Sequence, residues 1–345
     1  MSAIEPRRPI AVDVADPGAH PYDYDIERDE WLFLEVTLEQ IGSAPFLDTR
    51  MGVSPADATR VPDAALALPA DAATPGAYLF HTAFCGSTLL ARALHAGPAA
   101  VSLKEPVALT TLTRLELMGS PRVDALLSRL LALLGRPWAP DGRVLVKPTN
   151  LVNRLMRPML AMSPNARAIL LYSSFREFLL SCFKKLPHAE VAVRWMAQLL
   201  IRDSALQAEL GLSGEEPFNL VESCALTYYA QLAIYADALA ADREDRLRTL
   251  DMRAMLDRPA ATVAASARWL GMPDALVGLD ARVAAEFSRD SKKSSREFDT
   301  GQREREKAEL EQRYGETIER ALAWSREVVE PVARVPVDWK PLAID

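Results

Sequence analysis

Apolar residues follow two alternating patterns along the chain from Tyr78 onward. Short apolar runs with the length of a buried strand alternate with longer segments in which apolar residues recur at helical spacing. The first run, at 78–82, passes through a tight turn at Cys85-Gly86 into a helical pattern that begins near Ser87. This alternation predicts an α/β fold, in which a parallel β-sheet is flanked by helices.

The same patterns predict the remaining elements of the fold. Further strands are predicted at 99–103, 143–147, 166–172 and 246–250. Helices are predicted at 107–118, 123–134, 150–161, 175–185, 260–271 and 300–329, with two or three long helices within 189–241. A large part of the chain is therefore expected to be helical, and the long helices offer surfaces for a homodimer.

The region before residue 77 carries weaker signals. Residues 13–24 are predicted as an irregular arm, 31–36 as a strand or a short buried helix, and 54–75 as a linker-like loop with a little helix. We therefore expect an N-terminal arm at 1–76. The α/β domain is expected at 77–330, followed by a C-terminal tail at 331–345.

Composition narrows the class of protein. The 345 residues are 49% hydrophobic and carry a net charge of -7, which argues against a nucleic-acid surface. The three cysteines, Cys85, Cys182 and Cys224, are odd in number and far apart, so they predict neither a disulfide framework nor a metal site. No signal peptide or membrane span is visible, and a cytoplasmic protein is expected.

Polar groups follow three of the predicted strands. They are the loop 83–88, the pair Lys104-Glu105, and Lys147 with the two residues after it. Ligands of parallel sheets bind at the carboxyl ends of strands, so these groups are expected to converge on one crevice. The loop is expected to bind an anion through the first N–H groups of the helix that follows it.

The loop Cys85-Gly86-Ser87-Thr88, followed by two leucines, resembles the phosphosulfate-binding loop of the sulfotransferases, a family with a P-loop nucleotide-binding fold. It lacks the lysine and the first glycine of the usual G-x-x-x-x-G-K-[ST] pattern. Phe84 stands where the family has Lys or Arg. The resemblance implies that residues 84–88 bind the 5′ end of 3′-phosphoadenosine 5′-phosphosulfate (PAPS).

The resemblance also implies two catalytic residues. Some members of the family have a catalytic glutamate about twenty residues past the basic loop position, and Glu105 lies 21 positions after Phe84. Glu105 would then remove the proton from the acceptor. Lys147 resembles the strand-end lysine of the family and would steady the bridging oxygen of the donor. The histidine base of the cytosolic members is absent, because Pro148 and Thr149 follow Lys147.

A third resemblance concerns the 3′-phosphate of the donor. Ser181 matches a helical serine of the family, whereas Ser173 stands at the position of the family's arginine. The missing charge could come from nearby basic residues. The candidates are Arg176, Lys184 and Lys185 on the following helix, Lys104, and the basic run that contains Lys292 and Lys293.

The motifs together span about Tyr78 to Trp324. They include a strand, helix and Leu-Gly-x-Pro ending at 248–273, which supports the fold. The implied reaction is sulfuryl transfer from PAPS to a hydroxyl or amine of a small-molecule acceptor, without a metal. Two other functions remain open: phosphoryl transfer from ATP or GTP with Mg²⁺, and nucleotide or partner binding without catalysis.

Overall fold

The computed structural model describes residues 12–69, 71–202, 204–213, 217–287, 300–333, 335 and 339–344. Within these ranges the chain forms two sheets. The strands are β1 (Ala19–Asp25), β2 (Glu30–Glu35), β3 (Thr59–Pro62), β4 (Ala77–His81), β5 (Ala100–Lys104), β6 (Arg143–Lys147), β7 (Arg167–Tyr172) and β8 (Leu247–Asp251).

The larger sheet has the order β5-β6-β4-β7-β8, and all of its neighbouring strands run parallel. The predicted parallel sheet flanked by helices is therefore confirmed. The helices are α1 (Leu38–Ser43), α2 (Ser87–Leu94), α3 (Val107–Leu117), α4 (Val123–Leu134), α5 (Met156–Met162), α6 (Phe175–Phe183), α7 (His188–Ile201), α8 (Ala205–Glu209), α9 (Leu220–Ala241), α10 (Met252–Asp257), α11 (Pro259–Trp269), α12 (Leu279–Phe287), α13 (Thr300–Trp324) and α14 (Glu330–Ala333).

Two of the predicted helices differ from the observed elements. The one predicted at 150–161 begins as a 3-10 helix, Asn150–Leu155, before α5 continues it. The one predicted at 300–329 consists of α13 followed by a π-helical segment, Ser325–Val329. Both differences concern hydrogen-bond spacing, which the apolar periodicity of a sequence does not resolve.

Both faces of the parallel sheet are buried. Tyr78 and Phe80 of β4 belong to an apolar cluster on one face, whereas Ala77 and Leu79 belong to a second cluster on the other. A strand with two buried faces shows a continuous apolar run instead of alternation. This explains the pattern that predicted β4.

The N-terminal region is more regular than the sequence predicts. The predicted irregular arm contains β1, and the predicted linker-like loop contains β3; both pair with β2 in an antiparallel sheet. β1 packs against α3, where Thr111 Oγ1 donates to Asp23 at 2.6 Å. The polar residues His20 and Asp23 interrupt the apolar pattern of a strand. His20 is nevertheless buried, and Asp23 bonds to α3, which is distant in sequence.

Arg136, which follows α4, binds the first residues of the N-terminal region. Its guanidinium donates to the backbone carbonyls of Val14 at 2.9 Å, Asp16 at 2.6 Å and Ala19 at 2.7 Å. Burial lowers the pKa of Arg136 to about 10.

Trp31 of β2 lies in the same apolar cluster as Tyr78, so the two sheets share a core.

Lys104, the last residue of β5, is fully buried. Its Nζ donates to the carbonyls of Ile41 at 2.6 Å and Gly42 at 3.1 Å, in the last turn of α1. Burial, aided by the charge of Arg92, lowers the pKa of Lys104 to about 7. A neutral amine has two N–H donors for these two carbonyls, so Lys104 serves to hold α1 against the sheet.

Replacing Lys104 by Met should change how the free energy of unfolding depends on pH. The pKa of Lys104 is about 7 in the folded chain, and an unfolded lysine titrates near about 10.4. Between these values the unfolded chain holds one more proton, so the wild type gains stability as pH rises, by at most about 1.4 kcal/mol per pH unit. Urea unfolding should show that the free energy of unfolding of the wild type, relative to that of Lys104→Met, is larger at pH 9 than at pH 7. A difference that does not change with pH would contradict this titration.

Candidate functional site

The chain changes direction sharply between β4 and α2. Ala83 and Phe84 have φ angles of 66° and 53°, and Gly86, the N-cap of α2, has a φ of 75°. Residues other than glycine seldom adopt this left-handed backbone, and those that do cluster at functional sites. A Cβ at Gly86 would lie 2.7 Å from Cε of Met255. Because Cε is the end of a flexible side chain that can move aside, the left-handed φ is the main reason for glycine at this turn.

The first turn of α2 has the features expected of an anion site. In the part of the chain that the structure describes, no side chain caps the helix start, and the first N–H groups of any helix lack intrahelical acceptors. Ser87 and Thr88 lie in this turn and are both buried. N–H groups and hydroxyls at a helix start can bind an oxyanion.

The side chain of Cys85 belongs to the buried core and not to the surface of the loop. Its side chain is fully buried, and Sγ lies 3.6 Å from the carbonyl oxygen of Leu171. Burial raises the pKa of the Cys85 thiol to about 11. A buried, protonated thiol is a poor nucleophile.

A polar network behind the loop holds the ends of β4 and β7. Asn153 Nδ2 donates to the carbonyl of His81 at 3.1 Å, and Gln231 Nε2 to that of Thr82 at 3.2 Å. Tyr228 of α9 donates to the carbonyl of Ser173 at 2.7 Å. These carbonyls lie where the strands end, so side chains from other elements replace the missing ladder partners.

Glu105 and Lys147 form an ion pair at the ends of adjacent strands. Lys147 Nζ lies 2.5 Å from Glu105 Oε1, and the backbone N–H of Glu105 donates to the carbonyl of Lys147 at 2.6 Å. The Lys147 side chain is fully buried, whereas 23% of the Glu105 side chain is exposed. The two catalytic residues predicted from the resemblance are therefore in direct contact.

Glu105 is held with one carboxylate oxygen engaged. Lys147 bonds Oε1, and no residue that the structure describes donates a hydrogen bond to Oε2. Glu105 also has a left-handed backbone, with a φ of 55°. With Ala83 and Phe84 it makes three strained residues at the ends of β4 and β5. A partly exposed oxygen on a fixed carboxylate can accept a proton.

His81, the last residue of β4, connects the loop to this pair. The backbone N–H of Ala83 donates to Nδ1 of His81 at 3.1 Å, so Nδ1 is unprotonated and the neutral ring carries its proton on Nε2. Nε2 lies 3.7 Å from Oε1 of Glu105. The His81 ring therefore lies between the strained loop and the Glu105 carboxylate.

Residues 46–50 of the N-terminal region lie beside Lys147 and Glu105. The N–H of Leu47 donates to the carbonyl of Lys104 at 2.7 Å, which fixes this segment at the end of β5. The centroid of the Phe46 ring lies 5.4 Å from Nζ of Lys147 and 4.1 Å from Cζ of Arg50. Arg50 in turn pairs with Asp48.

The basic residues expected near the donor contact different groups of the protein. Arg176 pairs with Glu319 and, at 3.7 Å, with Glu311, both on α13. Lys184 pairs with Glu306 of the same helix, and Lys104 is buried against α1 as described above. The charges of Arg176 and Lys184 are thus engaged by carboxylates of α13. Lys185 contacts the ring of Phe84, with Nζ 3.6 Å from the ring centroid.

The predicted 3′-phosphate residues are only partly described. Ser173 follows β7 and is fully buried, and its Oγ has no hydrogen-bond partner among the described residues. Ser181 lies on α6 and is half-buried. Lys292 and Lys293 lie outside the described residues. An unsatisfied buried hydroxyl at a strand end is unusual and is compatible with a ligand.

Several residues of the site were not found by the sequence reasoning. His81 ends a strand, as Lys147 does, so the strand-end rule that selected Lys147 could have found it. Phe46 and Arg50 carry no such signal, because their region was predicted as an N-terminal arm that precedes the α/β domain. Asn153 and Gln231 lie in helices, and only the tertiary structure reveals which carbonyls they satisfy.

Comparisons with known proteins found similarity at the level of structure. No family model and no curated protein matches the sequence. A sulfotransferase domain from the curacin biosynthetic pathway is similar, with 15% identity, a TM-score of 0.38, and coverage of 63% of this chain and 79% of that one. A sulfotransferase from Alicyclobacillus acidocaldarius is similar with 16% identity, the same TM-score, and coverage of 63% and 97%.

Both of these structures are sulfotransferases, the family whose motifs the sequence resembles. At a TM-score of 0.38, neither likeness identifies the activity or the substrates of this chain. Its chemistry has to be argued from its own residues.

Two features are absent from the described residues. No helix there is long and apolar enough to cross a membrane. No group of three or more His, Cys, Asp and Glu side chains within the described ranges could hold a metal ion.

Substitutions in the ion pair should affect stability unequally. Glu105→Leu removes the carboxylate that neutralises a fully buried ammonium, and loss of one partner of a buried pair costs about 3–5 kcal/mol. Lys147→Met should cost less, because Glu105 reaches solvent. The double variant should be less destabilised than the sum of the two single variants. Urea unfolding of the four proteins measures these free energies, and strictly additive effects would show that the pair is not coupled.

Proposed function

We propose that this chain is a sulfotransferase, which transfers a sulfuryl group from PAPS to a hydroxyl or amine of a small-molecule acceptor. The observation that supports this most strongly is the contact of Lys147 with Glu105 at 2.5 Å, at the strand ends beside the loop 83–88. The pair brings together a cation for the leaving group and a carboxylate with an open oxygen for the acceptor.

The loop suits the 5′ end of the donor. The uncapped first turn of α2 offers N–H groups, and Ser87 and Thr88 add hydroxyl donors. These groups present partial positive charge, so they can bind a phosphate without the help of a metal ion. Gly86 lets the backbone turn towards such a ligand, because its left-handed φ is open to glycine at little cost.

For the 3′ end of the donor we assign a weaker set of groups. The Ser173 hydroxyl has no partner among the described residues, so it can donate to a phosphate oxygen. Ser181 is the second candidate from the resemblance. The charge of Arg176 is engaged by Glu319 and Glu311, so it is a poorer candidate than the pattern suggests, and Lys292 and Lys293 are the basic residues proposed for this end.

The residues of the chain then divide the reaction between them. Glu105 Oε2 takes the proton of the acceptor hydroxyl or amine as the new sulfur–oxygen or sulfur–nitrogen bond forms. The bond between sulfur and the bridging oxygen breaks, and that oxygen leaves on the nucleotide with a developing negative charge. Lys147 stabilises this charge through its ammonium group. His81 Nε2 lies 3.7 Å from Oε1, beyond hydrogen-bond distance, and borders the carboxylate.

Calorimetry with the product nucleotide tests the proposal. The chain should bind 3′,5′-adenosine bisphosphate without added metal, and Mg²⁺ should not improve the affinity. Binding of ATP only with Mg²⁺ would instead favour a phosphotransferase. Failure to bind either nucleotide would refute a donor site of this kind.

Glu105→Gln should separate binding from turnover. It keeps the shape of the side chain and removes the base, so affinity for the bisphosphate should be retained while turnover falls by about 10²–10⁴. Turnover is measured as transfer of labelled sulfate from PAPS to a panel of phenols, alcohols and amines. Glu39→Gln, an exposed carboxylate on α1, is the matched control and should leave turnover unchanged. A noncatalytic nucleotide-binding protein would show no turnover in any of these variants.

A further inference from the structure

The strand order of the parallel sheet separates two sides of the site. The loop 83–88 follows β4, Lys147 ends the adjacent strand β6, and Glu105 follows the edge strand β5. An in-line displacement places the attacking group and the leaving oxygen on opposite sides of the group that is transferred. With the donor bound at the loop, as proposed, the acceptor reaches Glu105 from the outer edge of the sheet, at β5.

Residues 46–50 of the N-terminal region lie at this edge. The N–H of Leu47 donates to the carbonyl of Lys104 at 2.7 Å, so the segment is bound to the end of β5. The Phe46 side chain is buried, and the centroid of its ring lies 4.1 Å from Cζ of Arg50. Arg50 is therefore a cation that the N-terminal region adds on the acceptor side of the site.

The guanidinium of Arg50 is held along one edge. Nε donates to Oδ1 of Asp48 at 2.7 Å and Nη2 donates to Oδ2, so one carboxylate fixes the plane of the group. Nη1 donates to no residue that the structure describes, and 51% of the side chain is exposed. A guanidinium carries five N–H donors in a planar fork, so the second edge of Arg50 can bind another oxyanion.

Arg50 and Glu105 are near enough for their charges to interact. The hydrogen bond to Asp48 raises the pKa of the Arg50 guanidinium, and the charge of Glu105 raises it further. A single acceptor can therefore contact both groups, with its reacting hydroxyl or amine at Glu105 and a second group at Arg50. Arg176 differs from Arg50, because its Nη1 and Nη2 both face carboxylates of α13.

We propose that Arg50 binds an oxyanion of the acceptor, so the acceptor carries an anionic group, such as a carboxylate, besides the hydroxyl or amine that receives the sulfuryl group. This inference rests on the proposed function and names the class of its acceptor. Asp48 and Phe46 hold the guanidinium in place before the acceptor arrives, which reduces the entropy lost on binding. Arg50 selects the acceptor and takes no part in making or breaking bonds.

The test compares acceptors that differ only in the anion. Para-hydroxyphenylacetate and its uncharged amide present the same phenol, and hydroxyphenyl acids with shorter and longer arms, each with its amide, extend the series. The wild type should use a carboxylate with a higher kcat/KM than its amide. Arg50→Gln should lower the kcat/KM for the carboxylate by about tenfold to a hundredfold, because a charged hydrogen bond is lost. The value for the amide should not change.

Two further variants and a binding measurement complete the test. Arg60→Gln removes another exposed arginine of the N-terminal region, which pairs with Asp25 and Glu30, and should change neither kcat/KM value. Arg50→Lys keeps the charge without the planar fork and should restore part of the preference for the carboxylate. Calorimetry of each acceptor with protein saturated by 3′,5′-adenosine bisphosphate should rank the variants in the same order, and it decides the assignment where no acceptor of the series is turned over.

Each negative result has its own meaning. If the wild type binds the bisphosphate but does not favour carboxylates over their amides, Arg50 does not select an anion, and the donor site itself stands. An equal loss for carboxylate and amide in Arg50→Gln would also overturn the assignment, because it indicates a structural role. If the wild type does not bind the bisphosphate, the proposed function is refuted and the acceptor class with it.

Discussion

A buried ammonium is the constraint around which the site is arranged. Lys147 is fully buried at the end of β6, and an unpaired charge in such a place is strongly destabilising. Glu105 neutralises it from the end of the adjacent strand, and its backbone adopts a left-handed conformation there. In the proposed reaction, the same pair supplies a base for the acceptor and a cation for the leaving oxygen.

The surrounding structure keeps this arrangement rigid. Asn153 and Gln231 satisfy the carbonyls at the end of β4, and His81 receives a hydrogen bond from the loop while its other nitrogen faces Glu105. Phe46 packs near Lys147 from the N-terminal region. Catalytic groups that are fixed before the ligand arrives need less reorganisation during the reaction. The helices and the small antiparallel sheet therefore act as supports of one site.

The sequence predicted the parallel sheet well, because β4 and β6 are apolar on both faces and helices separate the strands. It also placed Glu105 and Lys147 at strand ends, where parallel strands bring side chains together. It missed β1 and β3, since polar residues of each strand, Asp23 and Arg60, have partners that are distant in sequence. For the same reason it could not show that Lys185 reaches the loop, or that Arg176 is already paired.

A crystal structure with 3′,5′-adenosine bisphosphate, grown without added divalent metal, tests most directly whether these groups form one donor site. The account predicts that the 5′-phosphate accepts hydrogen bonds from the N–H groups of residues 86–88 and lies beside Lys147. Oε2 of Glu105 should remain open towards the acceptor. A nucleotide bound elsewhere on the chain, or one whose 5′-phosphate does not touch the loop, would contradict it.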